Sequence, residues 1–166
     1  MAELLTATIA SPIGKLYLLT KGETVLGLNL SGFQDLLSSL TPAELSEKIG
    51  KSGKAHPIVE KLNSYFDGDL TVINSIKVKQ PGGQFSQAAW AGMRKVKVSS
   101  TESYADLAHR AGSPAAVRAA GSACAKNKIA IIVPCHRIVK TGGALGAYGW
   151  GVDKKLWLLK HEGALD

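Results

Sequence analysis

Short apolar runs separated by turn residues fill the first half of the chain. Residues 4–10 and 15–20 flank Ser11-Pro12-Ile13-Gly14, which predicts a hairpin, and residues 24–30 follow Lys21-Gly22-Glu23 as a third strand. Helical spacing runs over residues 33–49, interrupted near Pro42. It returns over residues 58–66, where Ile58, Leu62, Tyr65 and Phe66 share one stripe. Residues 70–78 read as a further strand. The pattern predicts a small mixed α/β unit with two acidic, solvated helices and no catalytic constellation.

Lys79-Gln80-Pro81-Gly82-Gly83 is the best boundary, because proline removes a donor and paired glycines loosen the backbone. It divides the chain into domains 1–80 and 81–166. Beyond it, Phe85, Ala89, Trp90, Met93 and Val96 recur at helical spacing and read as core. Residues 103–111 predict a short helix, with Ser103 and Asp106 spaced as a capping box. Gly112-Ser113-Pro114 then supplies a stop, an N-cap and a first-turn proline for a helix over residues 115–126.

Two short helices around a glycine-containing turn make a helix-turn-helix pattern, which helical hairpins that bind nothing also share. The second helix is slim, with Ala115, Ala116, Ala119, Ala120, Gly121, Ser122 and Ala123. A helix that reads bases in the major groove needs Arg, Asn or Gln. Small residues instead allow close approach, either to a neighbouring helix or to a narrow DNA groove. Arg118, the long side chain near its start, is either a wedge into a base stack or a surface charge.

Charge sharpens this picture. The chain has 166 residues with 20 Lys+Arg against 13 Asp+Glu, and residues 80–166 hold 12 of those cations against 5 acids. The excess sits on the half with the helix pair, which points to a polyanion, nucleic acid first, although a basic face can be merely solvated. A hydrophobic content of 45% excludes a disordered chain. No apolar run approaches the ~20 residues of a membrane span, and Met1-Ala2-Glu3-Leu4-Leu5 lacks a basic leader region. Two cysteines and four histidines, without paired spacing, predict neither a disulfide framework nor a metal site. The expected location is cytoplasmic.

The candidate chemistry follows Asn127. Ile129-Ala130-Ile131-Ile132-Val133 reads as a buried strand or extended loop that ends in Pro134-Cys135-His136-Arg137. A thiol reacts as thiolate, and cationic neighbours favour that form, so Cys135 is the candidate nucleophile and Cys124 reads as packing. A helix beginning at Asp153 ends in His161-Glu162-Gly163, and Glu162 is the acid available to orient His136. A Cys–His dipeptide and a helix-end acid can equally be structural. A cysteine hydrolase ranks last, since no oxyanion-hole glycine loop is present and nucleophile and base are adjacent.

Pro134-Cys135-His136-Arg137, preceded by Asn127 and an apolar run, resembles the active-site motif of the O6-alkylguanine-DNA alkyltransferases. Ser103-Tyr104, Leu107-Ala108, Arg118-Ala119-Ala120-Gly121, Gly146, Tyr148, Trp157-Leu158-Leu159 and His161-Glu162-Gly163 agree. The likeness covers residues 84–164. Ser11-Pro12-Ile13-Gly14 and Leu62-Asn63-Ser64-Tyr65-Phe66 extend it more loosely. It implies a ribonuclease-H-like mixed α/β domain, then a mainly α domain with a winged helix-turn-helix.

It further implies that Cys135 accepts an alkyl group once, irreversibly, from O6-alkylguanine flipped out of duplex DNA. His136 would activate the thiol through a water, Glu162 would orient His136, and Asn127 would brace the turn. The helix with Ala119 and Gly121 would enter the minor groove, Arg118 would fill the space of the flipped base, and Lys128 would lie near DNA. Tyr104 would bond the guanine edge and protonate the departing base. Tyr148 and Gly149 would line the pocket, and the carbonyls of Cys135 and Ile138 would accept from the exocyclic amine. No cofactor, metal or membrane is implied, and the protein would be a monomer able to bind DNA cooperatively. The alternative is a helix-turn-helix DNA- or lesion-binding protein without transfer, against which the presence of Cys135 argues. Three departures from the usual family pattern occur: Lys97-Val98-Ser99 stands for Pro-Tyr-Gly, Lys128 for proline, and Ala147 for glycine or asparagine.

Overall fold

The computed structural model describes residues 3–53 and 56–166; Met1 and Ala2, on which the leader reading partly falls, lie outside. The fold forms two compact units, one running to Pro81 and including Lys128–Ile132, the other comprising Gly82–Asn127 and Val133–Asp166.

In the first unit, β1 (Leu4–Ser11), β2 (Gly14–Lys21) and β3 (Thr24–Asn29) form an antiparallel meander. The predicted turns fall between them. β4 (Ile49–Lys51) adds parallel to β1, and β5 (Lys77–Val78) parallel to β3, giving the order β4-β1-β2-β3-β5. Strand β3 is buried from Val25 onward, and its stretch over residues 25–28 is accordingly apolar without alternation. Leu36, in α1 (Phe33–Leu36), sits so close over Gly27 that a Cβ there would meet its Cδ2 at 2.6 Å. Helix α3 (Pro57–Phe66) buries Ile58, Leu62 and Tyr65, as its stripe predicts; Phe66 packs edge-on against Tyr65.

Two predicted elements differ. The helix expected over residues 33–49 is only α1, a 3₁₀ turn at Leu37–Ser39 and α2 (Pro42–Leu45). Pro42 forces extended backbone before it, a Thr41–Glu44 capping box restarts the helix, and Ile49 is taken into the sheet. Of residues 70–78, only Lys77 and Val78 pair with β3, after a 3₁₀ turn at Val72–Ser75. Further along that edge Leu28 is already bonded, donating to Lys128 O at 2.9 Å and accepting from Ala130 N at 2.8 Å.

In the second unit, α4 (Gln84–Met93), α5 (Tyr104–Arg110) and α6 (Val117–Lys126) pack on one another. The capping box of Ser103 and Asp106 forms as predicted. Pro114 does not start α6: Ser113–Ala116 closes a separate turn, and Ala116 has non-helical torsions, so the helix begins at Val117 without a side-chain cap. Ala120 and Ala123 are buried, and Trp90 Nε1 donates to the Ala123 carbonyl at 2.9 Å; Ala119, Ser122 and Ala125 stay exposed. The small residues thus serve close helix packing on one side and leave a slim outer face on the other. β6 (Glu102–Ser103) and β7 (Ile138–Val139) form a short parallel pair, and α7 (Val152–His161) ends the fold.

Candidate active site

Cys135 opens a 3₁₀ turn, Cys135–Arg137, that leads into β7. Its approach is shaped by Pro134, whose φ of −84° and ψ of 66° with a Cys135 N to Val133 O bond of 2.8 Å make an inverse γ-turn. The proline ring therefore fixes where the thiol sits. Upstream, residues 129–133, expected as a buried strand or extended loop, make a single bridge at Ile129 followed by a buried turn, with Ile131 at φ 69° and Ile132 N bonded to Ala130 O. A β-branched residue there is strained, and complete burial of the segment holds it.

Asn127, the C-cap of α6, donates from Nδ2 to the Val133 carbonyl at 2.9 Å and to Cys135 Sγ at 3.4 Å. Burial pushes the Cys135 thiol above its ordinary range, against the Asn127 donor and the nearby Lys155 ammonium. Cys135 is thus a shielded thiol surrounded by groups that favour its anion.

His136 is wholly buried beside it. Its Nε2 lies 3.0 Å from Glu162 Oε2, and its Nδ1 is buried without a partner among the described residues. Burial holds His136 below its usual range, with Arg137 and Lys155 adding to that and Glu162 opposing it. Arg137 grips the same carboxylate, Nε to Oε1 at 2.9 Å and Nη2 to Oε2 at 3.0 Å, while Nη1 donates to Val96 O at 2.9 Å. Burial alone would raise the Glu162 carboxyl; His136 and Arg137 outweigh it and hold it well below the usual carboxylate range.

A cavity of about 200 Å³ opens over the thiol, lined by Tyr104, Gly121, Cys124, Ala125, Cys135, Ala147, Tyr148 and Gly149. Burial raises the hydroxyl pKa of both Tyr104 and Tyr148, and the Tyr148 hydroxyl is buried without a partner among the described residues. Gly146 is at φ 74°, and a Cβ there would meet the Tyr104 hydroxyl at 2.9 Å, so this loop needs glycine to pass the ring. Cys124 lines the same cavity, and burial pushes its thiol up to about 12.

The structure therefore gathers Tyr104, Gly121, Cys135, Tyr148 and Gly149 around one cavity, backed by Asn127, His136 and Glu162. Arg118 and Ala119 are exposed at the start of α6, outside the cavity lining. Lys128 belongs to the first unit, where its N–H donates to Gln80 Oε1 at 2.9 Å. The Ile138 carbonyl accepts from Lys155 Nζ at 2.6 Å, and Lys155 also reaches the Ala147 carbonyl at 3.2 Å. Sequence reasoning placed Arg137 beside the thiol as a cationic neighbour without naming its partner, and gave no part to Lys155, for which only helical spacing with Leu158 and Leu159 hints at an inward face. No group of three His, Cys, Asp or Glu side chains among the described residues could hold a metal ion.

Residues 84–164 match the family model described as 6-O-methylguanine DNA methyltransferase, DNA binding domain. The methylated-DNA–protein-cysteine methyltransferase of Salmonella typhimurium is 33% identical, with 99% of each chain covered. A crystal structure of a Mycobacterium tuberculosis O6-methylguanine methyltransferase aligns with a TM-score of 0.77 at 33% identity, over 97% of this chain and 93% of that one. Mycobacterium tuberculosis OGT in complex with DNA aligns with a TM-score of 0.79 at 34% identity, over 96% and 92%.

Proposed function

The chain belongs to the 6-O-methylguanine DNA methyltransferase family, and on that premise we propose that Cys135 is the acceptor through which it acts. It is a methylated-DNA–protein-cysteine methyltransferase, repairing DNA by direct reversal through alkyl transfer to cysteine. One observation carries the assignment to Cys135: of the two thiols lining the cavity, it alone accepts a hydrogen bond from Asn127 and precedes a histidine with a free buried nitrogen.

The Cys135 proton passes to His136 Nδ1 through a water, with Glu162 holding Nε2. The thiolate attacks the alkyl carbon of a guanine in the cavity; the S–C bond forms as the C–O6 bond breaks. Tyr104, kept protonated by burial, donates to the departing base, which avoids releasing an anion. Tyr148 and Gly149 wall the pocket, and the carbonyls of Cys135 and Ile138 accept from the exocyclic amine. A carbonyl oxygen has two lone pairs, so the Lys155 bond to Ile138 leaves room for this. The thioether product does not hydrolyse, and each molecule acts once.

We read α5 and α6 as the helix-turn-helix of a winged domain, the slim face of α6 entering the minor groove with Ala119 and Gly121, and Lys128 lying near the backbone. An alkylated guanine pairs badly, so flipping it costs less than flipping a normal base. The first unit is support, with a ribonuclease-H-like sheet.

Mixing the protein with excess duplex DNA carrying O6-methylguanine, followed by intact mass and peptide mapping, tests the assignment. The expected result is one methyl group on Cys135 and no turnover afterwards. Methyl on Cys124, or lesion binding with no modification, would overturn it.

A further inference from the structure

His136 and Arg137 share the Glu162 carboxylate: both bond its Oε2, and Arg137 also bonds Oε1. A carboxylate facing only an imidazole draws a proton onto the ring and holds it there, since an opposite charge at contact distance favours the charged form. A guanidinium fork on the same carboxylate changes that. It supplies the counter-charge itself and fixes the plane of the carboxylate, while its third nitrogen is anchored on the Val96 carbonyl.

We propose that Arg137 is a positioning residue for alkyl transfer: by sharing the Glu162 carboxylate with His136 it fixes which ring nitrogen stays free and limits how tightly the ring holds a proton. Glu162 then accepts the Nε2 proton of the neutral ring, so Nδ1 is the acceptor, consistent with its being buried and unpartnered. The charged groups acting on His136 are Lys155 from α7, Glu162 at its C-cap and Arg137 from its own turn; α4, which also packs on this turn, carries no titratable side chain. Lys155 cannot replace Arg137, because its ammonium is held by the Ile138 and Ala147 carbonyls. A lysine at 137 would keep the charge and lose the fork.

The inference rests on His136 as the proton acceptor, so the test reads the ring directly as well as the reaction. Ring-nitrogen NMR of the wild-type protein should show the Nε2–H tautomer of His136 at neutral pH. In Arg137→Gln the apparent pKa of His136 should rise by about one unit or more, and the acid limb of the transfer rate should move up with it. Arg137→Lys should return both most of the way to wild type. Because Arg137→Gln can destabilise the fold, Arg137→Gln/Glu162→Gln removes the charge pair together, and its His136 should titrate no higher than wild type. A wild-type ring carrying its proton on Nδ1 overturns the proposal whether or not any variant folds. So does an unchanged His136 titration in Arg137→Gln with only a slower rate, which is what a merely structural arginine would give. A transfer-rate pH profile that stays unchanged while the His136 titration shifts also overturns it, because that would remove His136 as the proton acceptor.

Discussion

A lysine with no exposed surface is an unusual object, and Lys155 shows what such a residue does at this site. Burial lowers its pKa, while two carbonyls hold the ammonium and the neighbouring thiols favour its charge. Replacing it by methionine should leave the Ile138 carbonyl unpaired and cost about 1–3 kcal/mol in urea unfolding. The same change removes a cation that lowers the Cys135 pKa, so the pH dependence of methyl transfer should move to higher pH. A variant with an unchanged pH profile would confine Lys155 to holding the loop. Lys155 escaped the sequence, and Arg137 was legible only as a cation beside the thiol, because burial of a charge cannot be read until its partner is known, and their partners lie 17 and 25 residues away. Residue type made Cys135, His136 and Glu162 candidates without excluding a structural part, and the dense motif around the thiol, through its likeness to a known family, set them apart.

Elements were legible where local signals agreed, as in the first hairpin, the capping box of α5 and the stripe of α3. They were not where a sheet edge decided the outcome. Ile49 leaves a helical pattern to pair with β1, and β5 is cut to two residues because Leu28 is already bonded by the Lys128–Ile132 segment. The turn after α4 shows a local conflict of its own. Ser99 sits at φ 71° within a turn closed by Ser100 N on Lys97 O, at the position where the family pattern has glycine. An L-residue in that region costs about 1–2 kcal/mol, partly offset by the greater freedom glycine loses on folding. Ser99→Gly should therefore raise stability by about 0.5–1 kcal/mol, read as a higher urea midpoint at unchanged slope. At α6 the exposed Arg118 stands at the second position of a helix whose outer face is otherwise small. Arg118→Ala should slow repair of O6-methylguanine in duplex DNA far more than reaction with the free alkylated base. Equal slowing of both would place Arg118 in the transfer step rather than beside the flipped nucleotide.

For the molecule as a whole, counting charges along the sequence overstated what faces solvent. Residues 80–166 hold 12 Lys+Arg against 5 Asp+Glu, but Arg137 and Lys155 are interior, and Arg110 is paired with Glu102. Glu162 is interior as well, so the net surplus facing solvent falls only from seven to six, and Arg118 and Lys126 carry part of it on α6. The interior charges have their own consequence for stability. His136 and Glu162 both titrate lower in the folded protein than in an unfolded chain. For each, the unfolded state binds more protons over the acid range, so stability is present above the unfolded pKa and is lost as pH falls below it. The unfolded values are about 6.5 for histidine and about 4.3 for glutamate. The urea midpoint should therefore begin to fall below about pH 6.5, where unfolding would let His136 take up a proton, and fall more steeply below about pH 4.3, where it would let Glu162 do the same. Arg137 ties the two steps together, since the guanidinium that holds Glu162 ionised also disfavours a proton on His136. A midpoint that instead rose as pH fell from 7.5 to 5 would mean that His136 binds its proton more tightly in the folded state and is already charged near neutral pH. That result would require the Cys135 proton to find a different first acceptor.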